Sequence, residues 1–90
     1  MVEHALVVQN RLGLHARAAA KLVHRASAYR SRVVLRFEDG EEIDAKSILG
    51  ILGRGASQGV QLTLLCEGDD EAAASAAVRE LFATRFGEAE

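Results

Sequence analysis

The chain predicts an α+β fold, a two-layer sandwich with an antiparallel four-stranded sheet and three helices on one face. Three observations carry this. Apolar residues alternate with polar ones around 33–37 and 60–66, the two-residue period of half-buried strands. They recur at i, i+3, i+4 and i+7 around 19–26, and again with helical spacing around 74–82. The resulting order is β-α-β-β-α-β-α. A helix joins the first two strands, which are therefore parallel and separated by another strand, a split βαβ arrangement.

Met1 to Val8 ends in the apolar run Ala5-Leu6-Val7-Val8 and reads as the first strand, with His4, Leu6 and Val8 on one side. Gln9 to Leu14 is a loop containing Arg11 and Gly13. Ala16 to Tyr29 is a helix whose buried stripe is Ala19, Leu22, Val23 and Ala26. Arg17, Lys21 and Arg25 repeat every four residues as a separate basic row, either a solvated face or a docking row leading to His15. Ser31 to Phe37 is the second strand, with Val33, Leu35 and Phe37 facing the core. Asp39-Gly40 marks a tight hairpin, whose acids are expected to be solvated, and Glu42 to Ala45 follows as a short strand.

Lys46 to Gly53 reads as a short helix capped by Ser47. It crowds Ile48, Leu49, Ile51 and Leu52 into two turns and cannot bury them all. Either it simply closes the core, or Ile48, Leu49 and Leu52 form a partner surface. After the loop Gly53–Gly59, Val60 to Glu67 is a strand with Val60, Leu62, Leu64 and Cys66 inward. Asp69 or Asp70 caps the last helix, whose stripe is Ala74, Ala77, Val78, Leu81 and Phe82, and residues 87–90 are expected to fray.

Length and composition bound the function. Ninety residues make one domain, 1–90, with a single small core. One cysteine allows no intrachain disulfide, and the N-terminus lacks the pattern of a signal peptide, so a cytoplasmic setting is expected. Residues 1–37 hold seven Lys/Arg and one acid, +6, and residues 38–90 hold four Lys/Arg and twelve acids, −8, which sum to −2. The basic part points to an acidic partner or an anionic group, and argues against a membrane-surface or broadly nucleic-acid-binding domain.

The stretch Gly13-Leu14-His15-Ala16-Arg17 falls where the first strand and its loop pass into the helix. His15 takes the capping position, where Ser, Thr, Asp or Asn is usual. The first helical turn offers unpaired N–H groups and the positive end of the helix dipole, and Arg17 adds a permanent charge. Two readings stand on these residues: a surface histidine that ends a loop, or an anion or phosphoryl site.

These residues, with Ala45-Lys46-Ser47-Ile48-Leu49-Gly50 and Gly68-Asp69-Asp70, resemble the HPr family, the histidine-containing phosphocarriers of the bacterial phosphoenolpyruvate-dependent sugar phosphotransferase system. The resemblance spans nearly the whole chain. It implies an open-faced β-sandwich of strand order 1-4-2-3. It also implies His15 as phosphoryl acceptor through Nδ1, Arg17 stabilising the phosphoryl group, and Ser47 as a regulatory site for a serine kinase. Enzyme I is then the donor and EIIA components are the acceptors, with Lys21, Arg25, Ile48, Leu49 and Leu52 in the partner surface. No cofactor, metal, nucleic acid or membrane is implied, and the chain is expected to be a monomer. Two positions depart from the family pattern: Ala18 replaces a usual proline, and Arg54 a common large apolar residue, which puts partner identity in question.

The chemistry also follows without the family. A phosphoryl carrier needs a nucleophile that is neutral near pH 7 and forms a labile bond, and an imidazole of reference pKa about 6.5 qualifies. A phosphoryl group of roughly −1.5 to −2 charge would then meet N–H donors and Arg17. Nothing marks a substrate pocket, so partners are expected to supply catalysis and the chain is not expected to be an enzyme. One rival is a regulatory HPr-like protein without sugar flux, which shares every site residue. The other is a KH-type nucleic-acid module, since Gly50-Ile51-Leu52-Gly53 is formally GxxG, though its middle residues are apolar.

Overall fold

The computed structural model describes residues 1–90. It contains β1 (Val2–Val7), α1 (Ala16–Ser27), β2 (Arg32–Phe37), β3 (Glu42–Asp44), α2 (Ile48–Arg54), β4 (Gln61–Glu67) and α3 (Glu71–Ala83), followed by a short 3-10 turn at Arg85–Gly87. The four strands form one sheet in the order β1-β4-β2-β3, with every neighbouring pair antiparallel. β1 and β2 thus run parallel with β4 between them, as the connecting helix requires. No helix is long and apolar enough to cross a membrane.

The register explains the core. Leu6 lies opposite Leu62, Leu62 opposite Phe37, and Leu64 opposite Leu35, so these residues line one face of the sheet. Val33 opposite Cys66 extends the same face. The helices cover it with Ala18, Ala19, Leu22 and Ala26 of α1, Ile51 of α2, and Ala74, Val78, Leu81 and Phe82 of α3, all buried. Each large side chain so buried stabilises the fold by roughly 1.5–3 kcal/mol before entropy is charged against it. Val60, expected to face inward, is only partly buried at the edge of the core.

Helix and strand ends differ from expectation for local reasons. α1 stops at Ser27 rather than Tyr29 because Ala28 and Tyr29 donate to carbonyls three residues back, a tightened last turn. Ser31 stays out of β2 because its N–H donates to the Asp70 carboxylate at 2.9 Å. The same carboxylate accepts from Arg30 N–H at 2.9 Å and from the Ser31 hydroxyl. Asp70 precedes α3 but makes no capping bond to it, which corrects the expected cap. It is a clasp between α3 and the entry to β2, and these donors, the Ser31 hydroxyl first, hold its pKa down at about 2.

The hairpin acids are not simply solvated. The Arg54 guanidinium lies 4.2 Å from the centre of the Phe37 ring and donates to Asp39 at 2.6 Å and Glu41 at 2.7 Å. Arg54 therefore covers a core aromatic, as an apolar residue would, while its head group ties α2 to the hairpin. The Arg54 bond, with an N–H bond from Glu41, holds the Asp39 carboxyl below its usual range.

The largest departure is after α3, where fraying was expected. Arg85 and Phe86 both adopt positive φ, 56° and 55°, and turn the chain back over the helical layer. Such backbone costs about 1–3 kcal/mol per residue. Burial of Phe86 offsets it, with its ring centre 5.0 Å from that of Phe82. Lys21 Nζ of α1 then donates to the Phe86 carbonyl at 2.6 Å. Residues 88–90 are thereby carried to the start of α1.

Candidate functional site

Gly13 sets up the turn into α1. Its φ is +66°, and a Cβ there would stand 2.9 Å from Ser57 Cα, so the loop before β4 leaves no room for a side chain. Leu14 N–H donates to the Ala56 carbonyl at 2.8 Å, and the Leu14 side chain is buried. Those anchors fix the next residue, His15, as the N-cap of α1 in extended conformation, φ −72° and ψ 178°.

His15 Nδ1 accepts from the N–H of Arg17 at 3.2 Å. The other ring nitrogen, Nε2, lies 2.6 Å from Oε2 of Glu88. A carboxylate only accepts, and a backbone N–H only donates. The neutral ring that satisfies both neighbours carries its proton on Nε2 and its lone pair on Nδ1. The first intrahelical bond reaches only Ala19 N–H, which donates to the His15 carbonyl at 2.8 Å. The N–H groups of Ala16 and Ala18 have no acceptor, so the first turn keeps free donors.

Glu88 is held from its other side as well. Its Oε1 accepts from Asn10 Nδ2 at 3.1 Å, and Asn10, fully buried, also donates to the Gly13 carbonyl at 2.8 Å. The His15 bond first, then that from Asn10, keeps the Glu88 carboxyl below the usual carboxylate range. Arg11 pairs with Glu90 at 3.0 Å. Arg11, Leu12, His15, Arg17, Glu88 and Glu90 line one open cleft. The Arg17 side chain is exposed there and has no hydrogen-bond or ionic partner within the chain.

The family profile described as PTS HPr component phosphorylation site matches residues 2–84. Phosphocarrier protein HPr of Xylella fastidiosa strain 9a5c is 48% identical over 88 residues, 98% of each chain. The chain belongs to the HPr family. Phosphocarrier protein HPr of Cupriavidus necator is 42% identical over 90 residues, the whole of both chains. Among solved structures, HPr-C-His from Thermoanaerobacter tengcongensis superposes with a TM-score of 0.94 at 41% identity, covering all of each chain. The sheet order and the helical layer are those of this family.

The remaining predicted site residues fall into separate groups. Lys21 and Arg25 do not form a free row with Arg17. Lys21 is spent on the Phe86 carbonyl, and Arg25 donates to the Ala77 carbonyl at 3.1 Å. Both tie α1 to α3 and the turn after it. Ser47 caps α2, its Oγ accepting from Gly50 N–H at 3.0 Å. Ile48, Leu49 and Leu52 are exposed beside it, at 38%, 81% and 41%. No hydrogen bond connects Ser47 with the His15 cluster.

Glu88 and Asn10 join the site only through the chain reversal after α3 and are not marked by any local motif. One signal was available: Phe86 follows Phe82 by four residues and continues the apolar stripe of α3 past its end. An aromatic in that register seeks the core.

Proposed function

We propose that this HPr-family chain carries a phosphoryl group on Nδ1 of His15, taken from enzyme I and passed to EIIA components of the phosphotransferase system. The observation that carries the reading is the His15 ring. Its unprotonated nitrogen faces the open N-terminal turn of α1, in a chain whose family profile is named for a phosphorylation site. The transferred group would meet the Ala16, Arg17 and Ala18 N–H donors, the positive end of the helix dipole, and the unpaired Arg17 guanidinium. These interactions are partly exposed, so they steady the phosphoryl group without trapping it.

On this reading, partners supply the remaining catalysis. Ser47 is the regulatory position. A phosphate on its Oγ would stand beside the exposed Ile48, Leu49 and Leu52 and oppose burial of that patch by a partner. Arg17 is the basic residue free to steer an acidic partner, while Lys21 and Arg25 serve mainly to hold the helices together.

Incubation with enzyme I and phosphoenolpyruvate, read by intact mass, tests the reading. One acid-labile phosphoryl group is expected on the wild type and none on His15→Ala, with the fold intact by circular dichroism. Labelling of His15→Ala to the same extent would overturn it.

A further inference from the structure

Glu88 lies outside the phosphorylation motif and outside the residues matched by the family profile. It nevertheless makes the shortest polar contact to His15, 2.6 Å from Nε2. From this geometry, and resting on the proposed role of His15, we infer that Glu88 is a positioning residue for phosphoryl transfer: oriented by Asn10, it pins the proton on Nε2 and leaves Nδ1 as the nucleophile.

Three features carry the inference. First, the two carboxylate oxygens have separate tasks. Oε1 accepts from buried Asn10, and Oε2 faces the ring. Second, the Nδ1 side is fixed independently by the Arg17 N–H, which cannot accept a proton. The two neighbours therefore favour the same tautomer from opposite sides of the ring, the logic by which a buried carboxylate orients a catalytic histidine. Third, the structure commits resources to bringing Glu88 there. Two consecutive residues at positive φ, the buried Phe86 and the Lys21 bond all serve to reverse the chain over α1.

The transfer balances on this arrangement. The Nδ1 lone pair attacks phosphorus, and the bond from phosphorus to the donor's leaving atom breaks, with its electron pair going to the donor. The ring gains no proton and loses none. Nε2 keeps its hydrogen, the imidazole becomes positively charged, and the Glu88 carboxylate already faces that charge. When the group moves on, the N–P bond breaks and the pair returns to Nδ1. The same carboxylate is a fixed negative charge near the phosphoryl dianion and keeps the carried group from being over-stabilised.

Glu88→Gln is the informative variant. An amide has one acceptor oxygen and meets two donors, Asn10 Nδ2 and His15 Nε2. If the oxygen stays with Asn10, the amide NH2 faces Nε2 and favours the wrong tautomer. Ring-nitrogen chemical shifts of unphosphorylated protein, at a pH above the ring's titration, read the tautomer directly and need no partner. Wild type is expected to show a protonated Nε2 and an unprotonated Nδ1. Glu88→Gln and Glu88→Ala are expected to shift the ring toward protonated Nδ1. Both should accept phosphoryl from enzyme I roughly tenfold more slowly, the lower end of what loss of a histidine's carboxylate partner costs at metal sites. Lys21→Ala loosens the segment that carries Glu88 and is expected to shift the tautomer and the rate in the same direction, by less than either Glu88 variant.

Wild-type tautomer and wild-type rate in both Glu88 variants would overturn the inference. So would a slowed rate with an unchanged ring, since that result assigns Glu88 to partner docking. Failure of the wild type to be phosphorylated at all would count against the proposed function instead, because the ring measurement is made without any donor.

Discussion

Arg17, Lys21 and Arg25 have the same charge and four-residue spacing, yet the fold gives them different work. Sequence spacing places all three on one strip of α1, and the strip exists. What spacing cannot show is that α3 and the turn after it present carbonyls to Lys21 and Arg25. Arg17→Glu should therefore slow transfer from enzyme I, increasingly so at low salt, with little change in stability. Arg79→Glu, on the exposed side of α3, is the matched control for charge. Lys21→Ala should instead lower stability by about 1 kcal/mol, the usual worth of a partly exposed charged hydrogen bond. Transfer kinetics and denaturant melts on these variants check the division. Equal transfer rates for Arg17→Glu and Arg79→Glu would remove Arg17 from the site. The place of His15 at the start of α1 was legible because a glycine turn precedes it and helical spacing follows. Glu88 was not, because its partners are set by a reversal of the chain at residues that normally avoid positive φ.

At the scale of elements, two devices make separate predictions. α2 is short and mostly exposed, so its cap matters more than its packing. Ser47→Ala should cost about 1 kcal/mol. Ser47→Asp keeps an acceptor and a favourable charge at the helix start, and should hold or raise the melting temperature. It should also weaken transfer from enzyme I, since the charge lies beside Ile48 and Leu49. A Ser47→Asp variant that accepts phosphoryl as fast as wild type would remove the switch.

The Asp70 clasp is the second device. Its folded-state pKa, about 2, lies below the ordinary value of 3.8. A depressed carboxyl stabilises the fold above its unfolded pKa and loses that contribution as pH falls through the folded one. The stability gap between wild type and Asp70→Asn should be constant from neutral pH to about 4.5, then narrow toward pH 2. Denaturant melts across that range would show it. A gap independent of pH would mean the carboxylate charge is not what closes the clasp. Periodicity located α3 and α2 well. It assigned Asp70 to capping because local sequence does not reveal that Arg30 and Ser31 approach from forty residues away in the chain.

Across the whole molecule, the sheet order follows from few constraints. One helix between β1 and β2 and a tight hairpin between β2 and β3 leave β4 as the strand that must fill the gap. That logic was visible in the chain, and the family resemblance supplied the order itself. The charge asymmetry was visible too, but its meaning changes once folded. The β2 residue Arg36 reaches across β4 to Glu3 of β1 at 3.3 Å and lies 3.9 Å from Glu42 of the adjacent β3. Arg54 answers the hairpin acids. Part of the excess positive charge of residues 1–37 is thus compensated within the molecule, while the side chains of Arg17, Lys21 and Arg30 have no acidic partner, and of these Arg17 lines the His15 cleft.

Which ring nitrogen takes the phosphoryl group decides between a proton pinned on Nε2 by Glu88 and one free to sit on Nδ1. NMR of protein labelled with nitrogen-15 in His15, phosphorylated by enzyme I and phosphoenolpyruvate, reads the nitrogen–phosphorus bond directly. Phosphorus is expected on Nδ1, with Nε2 still protonated against Glu88. Phosphorus on Nε2, or on any residue other than His15, would contradict this assignment.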